Sequence, residues 1–97
     1  MDKIIREEAR LIILRALADE PDGRCNSSLL VRHLEVFGIN RPRSWTEAEV
    51  RELENRGAVR VMEAGSVLVA QLTARGQDHL ERRAFLDGVK RPSLPEA

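Results

Sequence analysis

Aromatic residues, cysteine and net charge are all scarce in this chain. Tyrosine is absent, one tryptophan and two phenylalanines make up the 3% aromatic share, and 16 basic residues balance 16 acidic ones. The interior must therefore be built from Leu, Ile, Val and Ala. The single cysteine, Cys25, excludes an intrachain disulfide and a cysteine metal site. A length of 97 residues suits one domain with an adequate core.

Long hydrophobic runs are also missing. The apolar run over residues 11 to 14 is far too short to span a bilayer, and charged residues flank it. The opening MDKIIREEAR does not resemble a secretory signal, because acidic residues interrupt it. We therefore expect a cytoplasmic protein with no membrane partner, and the lone cysteine fits a reducing compartment.

Catalytic signatures are absent from the sequence. There is no glycine-rich phosphate loop, no nucleophile elbow and no supported Cys–His pair. Carboxylates recur at helical spacings beside arginines, which is typical of a solvated, salt-bridged surface. His33 and His79 are far apart, and we expect both at the surface or edge of the fold rather than in a metal site. The sequence predicts no enzyme, no cofactor and no metal.

The most informative stretch reads SWTEAEVRELENRGAVRVMEAGSVLVAQL, from Ser44 to Leu72. Its S-x-x-E start predicts a capping box between Ser44 and Glu47. Apolar residues then recur at helical spacing until Gly57, which predicts a glycine-terminated helix. The period next changes to two, so we predict a hairpin with strands over 58 to 62 and 67 to 72 and a turn over 63 to 66.

The remaining elements follow from the same patterns. We predict helices over 3 to 18, 27 to 37, 45 to 56 and 74 to 87, with a short strand at 24 to 25. The expected core contacts of the second helix are Leu29, Leu30, Leu34 and Phe37. The domain is predicted to span residues 1 to 88, and residues 89 to 97, with two prolines and no periodicity, to form a disordered tail.

The first helix is apolar on two sides. A second stripe, separate from the core face, contains Ile4, Leu11, Leu14 and Ala18. Such a helix is buried on both sides. Either the last helix of the domain covers this stripe, or a second subunit does. We expect a homodimer, in which the stripe packs with the last helix against the second subunit.

Three segments carry a family resemblance. EEARLIILRALADE resembles the opening helix of ArsR-type regulators, RELENRGAV the end of a recognition helix, and LTARGQDHLE the segment after the wing in MarR-type and PadR-type proteins. The resemblance covers residues 3 to 87. It implies an α+β winged helix-turn-helix: three core helices, a two-stranded hairpin wing and a C-terminal helix. Small winged-helix proteins of this length also occur in Mu-like prophages.

The resemblance further implies a transcriptional regulator that binds double-stranded DNA with its third helix in the major groove. The residues expected at the DNA are Arg41, Arg43, Ser44, Trp45, Glu47, Arg51 and Arg60. Two of these have structural alternatives: Trp45 as a half-buried anchor, and Arg51 paired with Glu47 four residues earlier.

Acidic residues argue against DNA binding. Four glutamates, at positions 47, 49, 52 and 54, lie on the third helix, and the turn from Glu63 to Ser66 has no cation. The alternative is therefore a protein-interaction module, an accessory phage or prophage protein. It would bind through the hairpin, with Val67 and Val69, or through the acidic third helix; Ile4, Leu11 and Leu14 on the first helix are the interaction residues of the homodimer.

Overall fold

The helices and strands follow one another in the order expected for a winged helix. The computed structural model describes residues 2 to 93. Its elements are α1 (Asp2–Ala18), β1 (Arg24–Asn26), α2 (Ser27–Val36), α3 (Arg43–Asn55), β2 (Val59–Ala64), β3 (Val67–Leu72) and α4 (Ala74–Leu80). This order confirms the predicted α+β winged-helix fold.

The wing is part of a three-stranded antiparallel sheet. The strand order is β1-β3-β2, so the short strand β1 pairs with β3 and places it in the middle. The hairpin is longer than predicted, because β2 continues to Ala64, which pairs with Val67. Its loop is therefore only Gly65 and Ser66, and Gly65 has a φ of 60°, as the first position of a type II′ turn requires.

Helix α1 forms the centre of the core. It contacts α2, α3, α4 and the sheet, so both of its apolar sides are covered within the chain. Leu11 and Leu14 are fully buried, whereas Ile4 is exposed. The prediction that Leu11 and Leu14 face a partner subunit is wrong, because the intrachain packing already covers them. Only Ile4 of that stripe's large side chains is accessible.

Helices α2 and α3 both end at glycines, Gly38 and, as predicted, Gly57. The Ile39 N–H donates to the Leu34 carbonyl at 3.0 Å, and the Ala58 N–H donates to the Leu53 carbonyl at 2.9 Å. Each bond spans six residues around a glycine with positive φ, which is the Schellman arrangement. The second of these stops sets where the recognition helix α3 ends and β2 begins.

The start of α3 differs from the prediction. The helix begins at Arg43, and Pro42 occupies the N-cap position without a side-chain capping bond. Ser44 is thus already inside the first turn, so the predicted capping box with Glu47 is wrong. Glu47 instead accepts a hydrogen bond from the Ser27 hydroxyl at 2.7 Å.

The exposed side of α2 also differs from the prediction. Leu30 and Leu34 are buried as expected, but Leu29 and Phe37 are exposed. Helical spacing alone allowed all four to face the core. Helix α2 is rotated about its own axis so that Ser27, Leu30 and Leu34 point inward.

Helix α4 is half its predicted length. It ends at Leu80, and Arg82 has a φ of 62°, so the chain turns there instead of continuing to residue 87. Ala84, which falls within the predicted longer helix, is exposed. Leu86 and Val89 supply the apolar contacts in its place. Since Gly88 follows this turn, it does not end a helix.

His79 holds the segment that follows α4. It is completely buried, contrary to the predicted surface position. Its Nδ1 accepts a hydrogen bond from the Leu86 N–H at 2.9 Å, so its Nε2 carries the proton and donates to the Lys90 carbonyl at 2.9 Å. One imidazole therefore satisfies two backbone groups of an irregular segment.

Residues 89 to 93 pack onto the domain rather than forming the start of a disordered tail. The Lys90 N–H donates to the Glu7 carbonyl at 3.2 Å, and its ammonium lies 2.9 Å from Glu8. Val89 is buried against the core. The predicted boundary at residue 88 thus cuts a packed segment, while residues 94 to 97 of the predicted tail lie outside the described residues.

Gly76 provides a test of the contact between α4 and the wing. An added Cβ would overlap the Ala58 carbonyl oxygen and lie 2.7 Å from the Leu72 Cδ1. That carbonyl cannot move freely, because it accepts from the Thr73 N–H. We expect Gly76→Ala to lower the free energy of unfolding by about 1–3 kcal/mol in urea denaturation.

Arg75→Ala, on the exposed side of the same helix, is the matched control. We expect it to change the free energy of unfolding by less than about 0.5 kcal/mol. Equal stability of Gly76→Ala and the wild type would show that the packing of α4 against Ala58 is not close.

Candidate nucleic-acid interface

The outer side of α3 is the candidate interface. Four residues of α3 are buried: Thr46, Glu49, Val50 and Leu53. These positions define the inner face, so the outer face carries Arg43, Ser44, Ala48 and Arg51. Ser44 and Arg51, both predicted to face DNA, therefore lie on the accessible side of the recognition helix.

Arg41 and Trp45 interact before and within the first turn of α3. The Arg41 guanidinium lies 5.4 Å from the centre of the indole ring. Trp45 itself is half-buried and packs against the core. This arrangement agrees with the anchor interpretation of Trp45, and the stacking holds Arg41 beside the helix start.

Glu47 is engaged at a polar junction of α2, α3 and the sheet. Besides accepting from Ser27, its Oε2 lies 3.6 Å from the Arg43 Nε. The Ser27 hydroxyl in turn accepts a hydrogen bond from the Leu68 N–H at 3.1 Å. The carboxylate of Glu47 is therefore used to join elements, and Arg43 is held next to it.

Glu49 is the largest departure from the expected charge distribution. The sequence placed it with the acidic residues of the DNA face, but it is only 3% exposed. Its Oε1 accepts from the Arg10 Nε at 2.8 Å, and the Arg6 Nε lies 3.8 Å from its other oxygen. The sequence signal was available, because Arg10 stands between Ala9 and Leu11 on a buried helix and needs a carboxylate partner.

Glu52 also has a basic partner. Its Oε2 lies 2.6 Å from Arg56 Nη1, and Arg56 additionally donates from Nε to the Asp87 carbonyl at 2.8 Å. The hydrogen bond from Arg56, reinforced by the charges of nearby arginines, lowers the pKa of Glu52. The ionised Glu52 therefore stabilises the folded state at pH values above the usual pKa of glutamate. This contribution is lost as the pH falls through the lowered pKa of Glu52.

Arg51 connects the recognition helix to the wing. Its guanidinium lies 3.1 Å from Glu54 and 3.3 Å from Glu63, so it does not pair with Glu47 as the helical spacing suggested. The side chain of Glu63 is 78% exposed. Arg60, the remaining predicted cation, is exposed on β2 opposite Gln71.

The hairpin residues predicted for protein contacts lie at intermediate depth. Val67 and Val69 are both half-buried on β3. Met62 pairs with Val69 across the strands and is exposed. The apolar surface of the hairpin is therefore centred on Met62, with the two valines at its edge.

Comparison with known proteins places the chain in a phage family. No family model matches it. It is 37% identical over 92 residues to a protein described as "Uncharacterized protein gp26" of Escherichia phage Mu, and the match covers 95% of each chain. The chain belongs to the family of phage Mu gp26. The predicted link to Mu-like phages is thereby confirmed.

A solved structure agrees with the fold. A MarR-family transcriptional regulator from Streptomyces coelicolor, determined in complex with DNA, matches with a TM-score of 0.65 and 24% identity. The match covers 84% of this chain and 52% of the regulator, so this chain spans about half the length of that protein. The similarity confirms the predicted MarR-like winged-helix fold.

Other kinds of site are not assembled in residues 2 to 93. No three side chains among His, Cys, Asp and Glu come together there as metal ligands, and no helix there is long and apolar enough to cross a membrane. Cys25 is buried, and desolvation, followed by the charge of Glu20, raises the pKa of its thiol. A raised pKa leaves little reactive thiolate at neutral pH.

The buried pair of Arg10 and Glu49 can be tested by removing one charge. Glu49→Gln leaves the Arg10 guanidinium buried without an anionic partner. Breaking such a pair destabilises a protein by about 3–5 kcal/mol, so we expect a loss of that order in urea denaturation.

Two further variants test the interpretation. Arg6→Gln removes an exposed cation from the same carboxylate and should change stability by less than about 1 kcal/mol. The double variant Arg10→Met with Glu49→Leu should recover most of the loss, because no charge remains buried. If Glu49→Gln is as stable as Arg6→Gln, the buried pair does not organise this core.

Proposed function

We propose that this chain is a cytoplasmic winged-helix protein that binds double-stranded DNA and regulates transcription as a homodimer. The observation that carries the proposal is the position of Glu49 and Glu52. One is buried against Arg10, and the other is paired with Arg56, so half of the carboxylates on α3 are neutralised within the domain. The main sequence argument against DNA binding is weakened accordingly.

The arginines of the outer face are available at small energetic cost. Arg43 and Arg51 are each nearly half exposed in their ion pairs with Glu47, Glu54 and Glu63. Exposed ion pairs contribute only about 0–1 kcal/mol, so phosphate oxygens can compete for these guanidinium groups. The carboxylates left behind remain near the DNA, and we therefore expect modest affinity with strong salt dependence.

The predicted residues can be assigned roles in this complex. Arg41 and Arg43, at the start of α3, contact phosphates, and Arg60 does so beside the wing. Ser44 and Arg51 face the major groove, where an arginine can read guanine with two hydrogen bonds. Trp45 and Glu47 position Arg41 and Arg43 by stacking and ion pairing. The solved MarR-family regulator on DNA supports this use of the fold.

Charge reversal at the helix start tests the proposal. We expect the wild type to bind random duplex DNA at low salt with a dissociation constant below about 10 µM. Arg41→Glu with Arg43→Glu should weaken binding at least about tenfold and lower the slope of log K against log salt by up to about 0.9 per lost phosphate contact. Fluorescence anisotropy of labelled DNA measures both quantities.

The matched control reverses two arginines away from α3. Arg83→Glu with Arg91→Glu changes the net charge equally, and both side chains are exposed in the segment after α4. We expect little change in DNA affinity from this control. A wild-type dissociation constant well above about 10 µM at low salt contradicts the proposal, as does an equal loss in both double variants.

A protein-interaction module is the second candidate function, with the accessory phage or prophage role suggested by the family. It is favoured by the loop of Gly65 and Ser66, which presents no cation, and by the exposed Met62 near it. In this function the hairpin surface of Met62, Val67 and Val69 contacts another protein, and Ile4 remains accessible for a separate contact.

Aspartate substitutions on the hairpin distinguish this second function. If the hairpin binds a partner, Val67→Asp with Val69→Asp should remove a protein that crosslinks to the wild type in its native host, as identified by mass spectrometry. Thermal unfolding must show that the variant remains folded. Retention of every crosslinked protein by the folded variant would mean that the hairpin is not the contact surface.

A further inference from the structure

The solvent side of α2 carries an apolar ridge. Leu29 is 47% exposed, Val36 81% and Phe37 63%, which makes them half of the six exposed large hydrophobic residues among residues 2 to 93. Spacings of seven and eight residues place them on one side of the helix, with His33 between them. We call Leu29, His33, Val36 and Phe37 the α2 ridge. It lies next to the core-facing side of the helix, on which Leu30 and Leu34 are buried.

Two shallow grooves border the α2 ridge. One, of about 170 Å³, is bounded by Leu29, Arg32, His33 and Val36. The other, of about 140 Å³, lies between α1 and α2, where Ile12, Arg15 and Ala16 of α1, with Asp19 just after it, face His33 and Phe37. Projecting apolar side chains and grooves with partly apolar walls therefore occur on the same surface. A surface that carries both can fit a copy of itself about a two-fold axis.

We propose that a second copy of this chain docks on the α2 ridge, with the two α2 helices antiparallel and Val36 of each copy in the groove beside Leu29 of the other. The inference rests on the homodimer of the proposed function and names its surface. It replaces the stripe of α1, whose Leu11 and Leu14 are already covered within the chain.

Charge complementarity selects both the occupant and its direction. Arg32 and Glu35 flank one side of the α2 ridge, and neither has an ion-pair partner among residues 2 to 93. In an antiparallel pair, Arg32 of each copy faces Glu35 of the other. In a parallel pair, the charged sides of the two ridges would lie on opposite sides of the interface, so neither charge would gain a partner.

The size of the ridge sets the expected strength of the dimer. Three exposed apolar side chains on each copy form a small interface, and interfaces below about 1,200 Å² belong to weak or transient complexes. A nucleic acid would find two positive charges, Arg15 and Arg32, balanced by two negative ones, Asp19 and Glu35, which is a poor phosphate site. A second copy can pair Arg32 and Glu35 with opposite charges and can cover the exposed apolar side chains of both ridges at the same time.

A charge exchange between two variants tests this arrangement. Arg32→Glu and Glu35→Arg each place like charges across the two-fold axis, so each variant alone should dimerise at least about tenfold more weakly than the wild type. In an equimolar mixture, a copy with two acidic residues meets a copy with two basic ones. We expect this mixture to form heterodimers at least about tenfold tighter than either homodimer.

Sedimentation velocity without DNA, over roughly 1–500 µM protein, covers the expected range of weak dimers. Val36→Asp should abolish the dimer, whereas Ile4→Asp, at another well-exposed apolar residue, on α1, should leave it intact. Thermal unfolding of each variant checks that the chain remains folded.

The outcomes separate this inference from the proposed function. A wild-type monomer throughout the range overturns the docking surface and the homodimer together, while DNA binding is measured independently. A dimer that resists Val36→Asp and shows no preference for the mixed pair keeps the homodimer but overturns the α2 ridge. Loss of the dimer in Ile4→Asp alone assigns the contact to α1.

Discussion

The buried ion pair between Arg10 and Glu49 is the interaction on which the arrangement of α1, α3 and the C-terminal segment depends. It joins the central helix α1 to the recognition helix α3 at 2.8 Å, and the same arginine donates to the Gly88 carbonyl at 2.7 Å. The pair thereby sets the rotation of α3 about its axis. It also holds the irregular C-terminal segment onto α1, where His79 and Lys90 complete the contact.

A buried pair of this kind is informative about specificity rather than about raw stability. The desolvation of two charges offsets much of their attraction, so an apolar pair of similar volume can be as stable. A charge pair, however, tolerates few alternative geometries. With Glu49 fixed inward, Thr46 and Leu53, one turn before and after it, are inward as well, and Arg43, Ser44 and Arg51 are accessible.

The electrostatic character of the candidate interface follows from this rotation and from one further junction. Ser27 links Glu47 to the backbone of Leu68, so the carboxylate that the sequence placed in a cap serves as a bond between three elements. What remains on the outer face is a small set of arginines in exposed, weak ion pairs. Such a surface suits a ligand that supplies its own closely spaced negative charges, as a nucleic-acid backbone does.

Local signals in the sequence determined much of the fold. The change of period after Gly57, the glycine stops at Gly38 and Gly57, and the alternation of β3 are consequences of neighbouring residues, so the order of elements could be predicted. The predicted cations Arg41, Arg43, Arg51 and Arg60 are likewise accessible, since charged residues stay at the surface unless a partner draws them inward.

Tertiary structure alone decided the features that depend on partners distant in the chain. Glu49 and Glu54 look alike in sequence, yet only Glu49 meets an arginine 39 residues away. The same applies to His79, which is buried because the chain turns back at Arg82, and to Leu29 and Phe37, which are exposed because Ser27 and Leu34 occupy the inner side of α2. Helical spacing defines which residues share a side, but the packing of the whole chain decides which side faces the core.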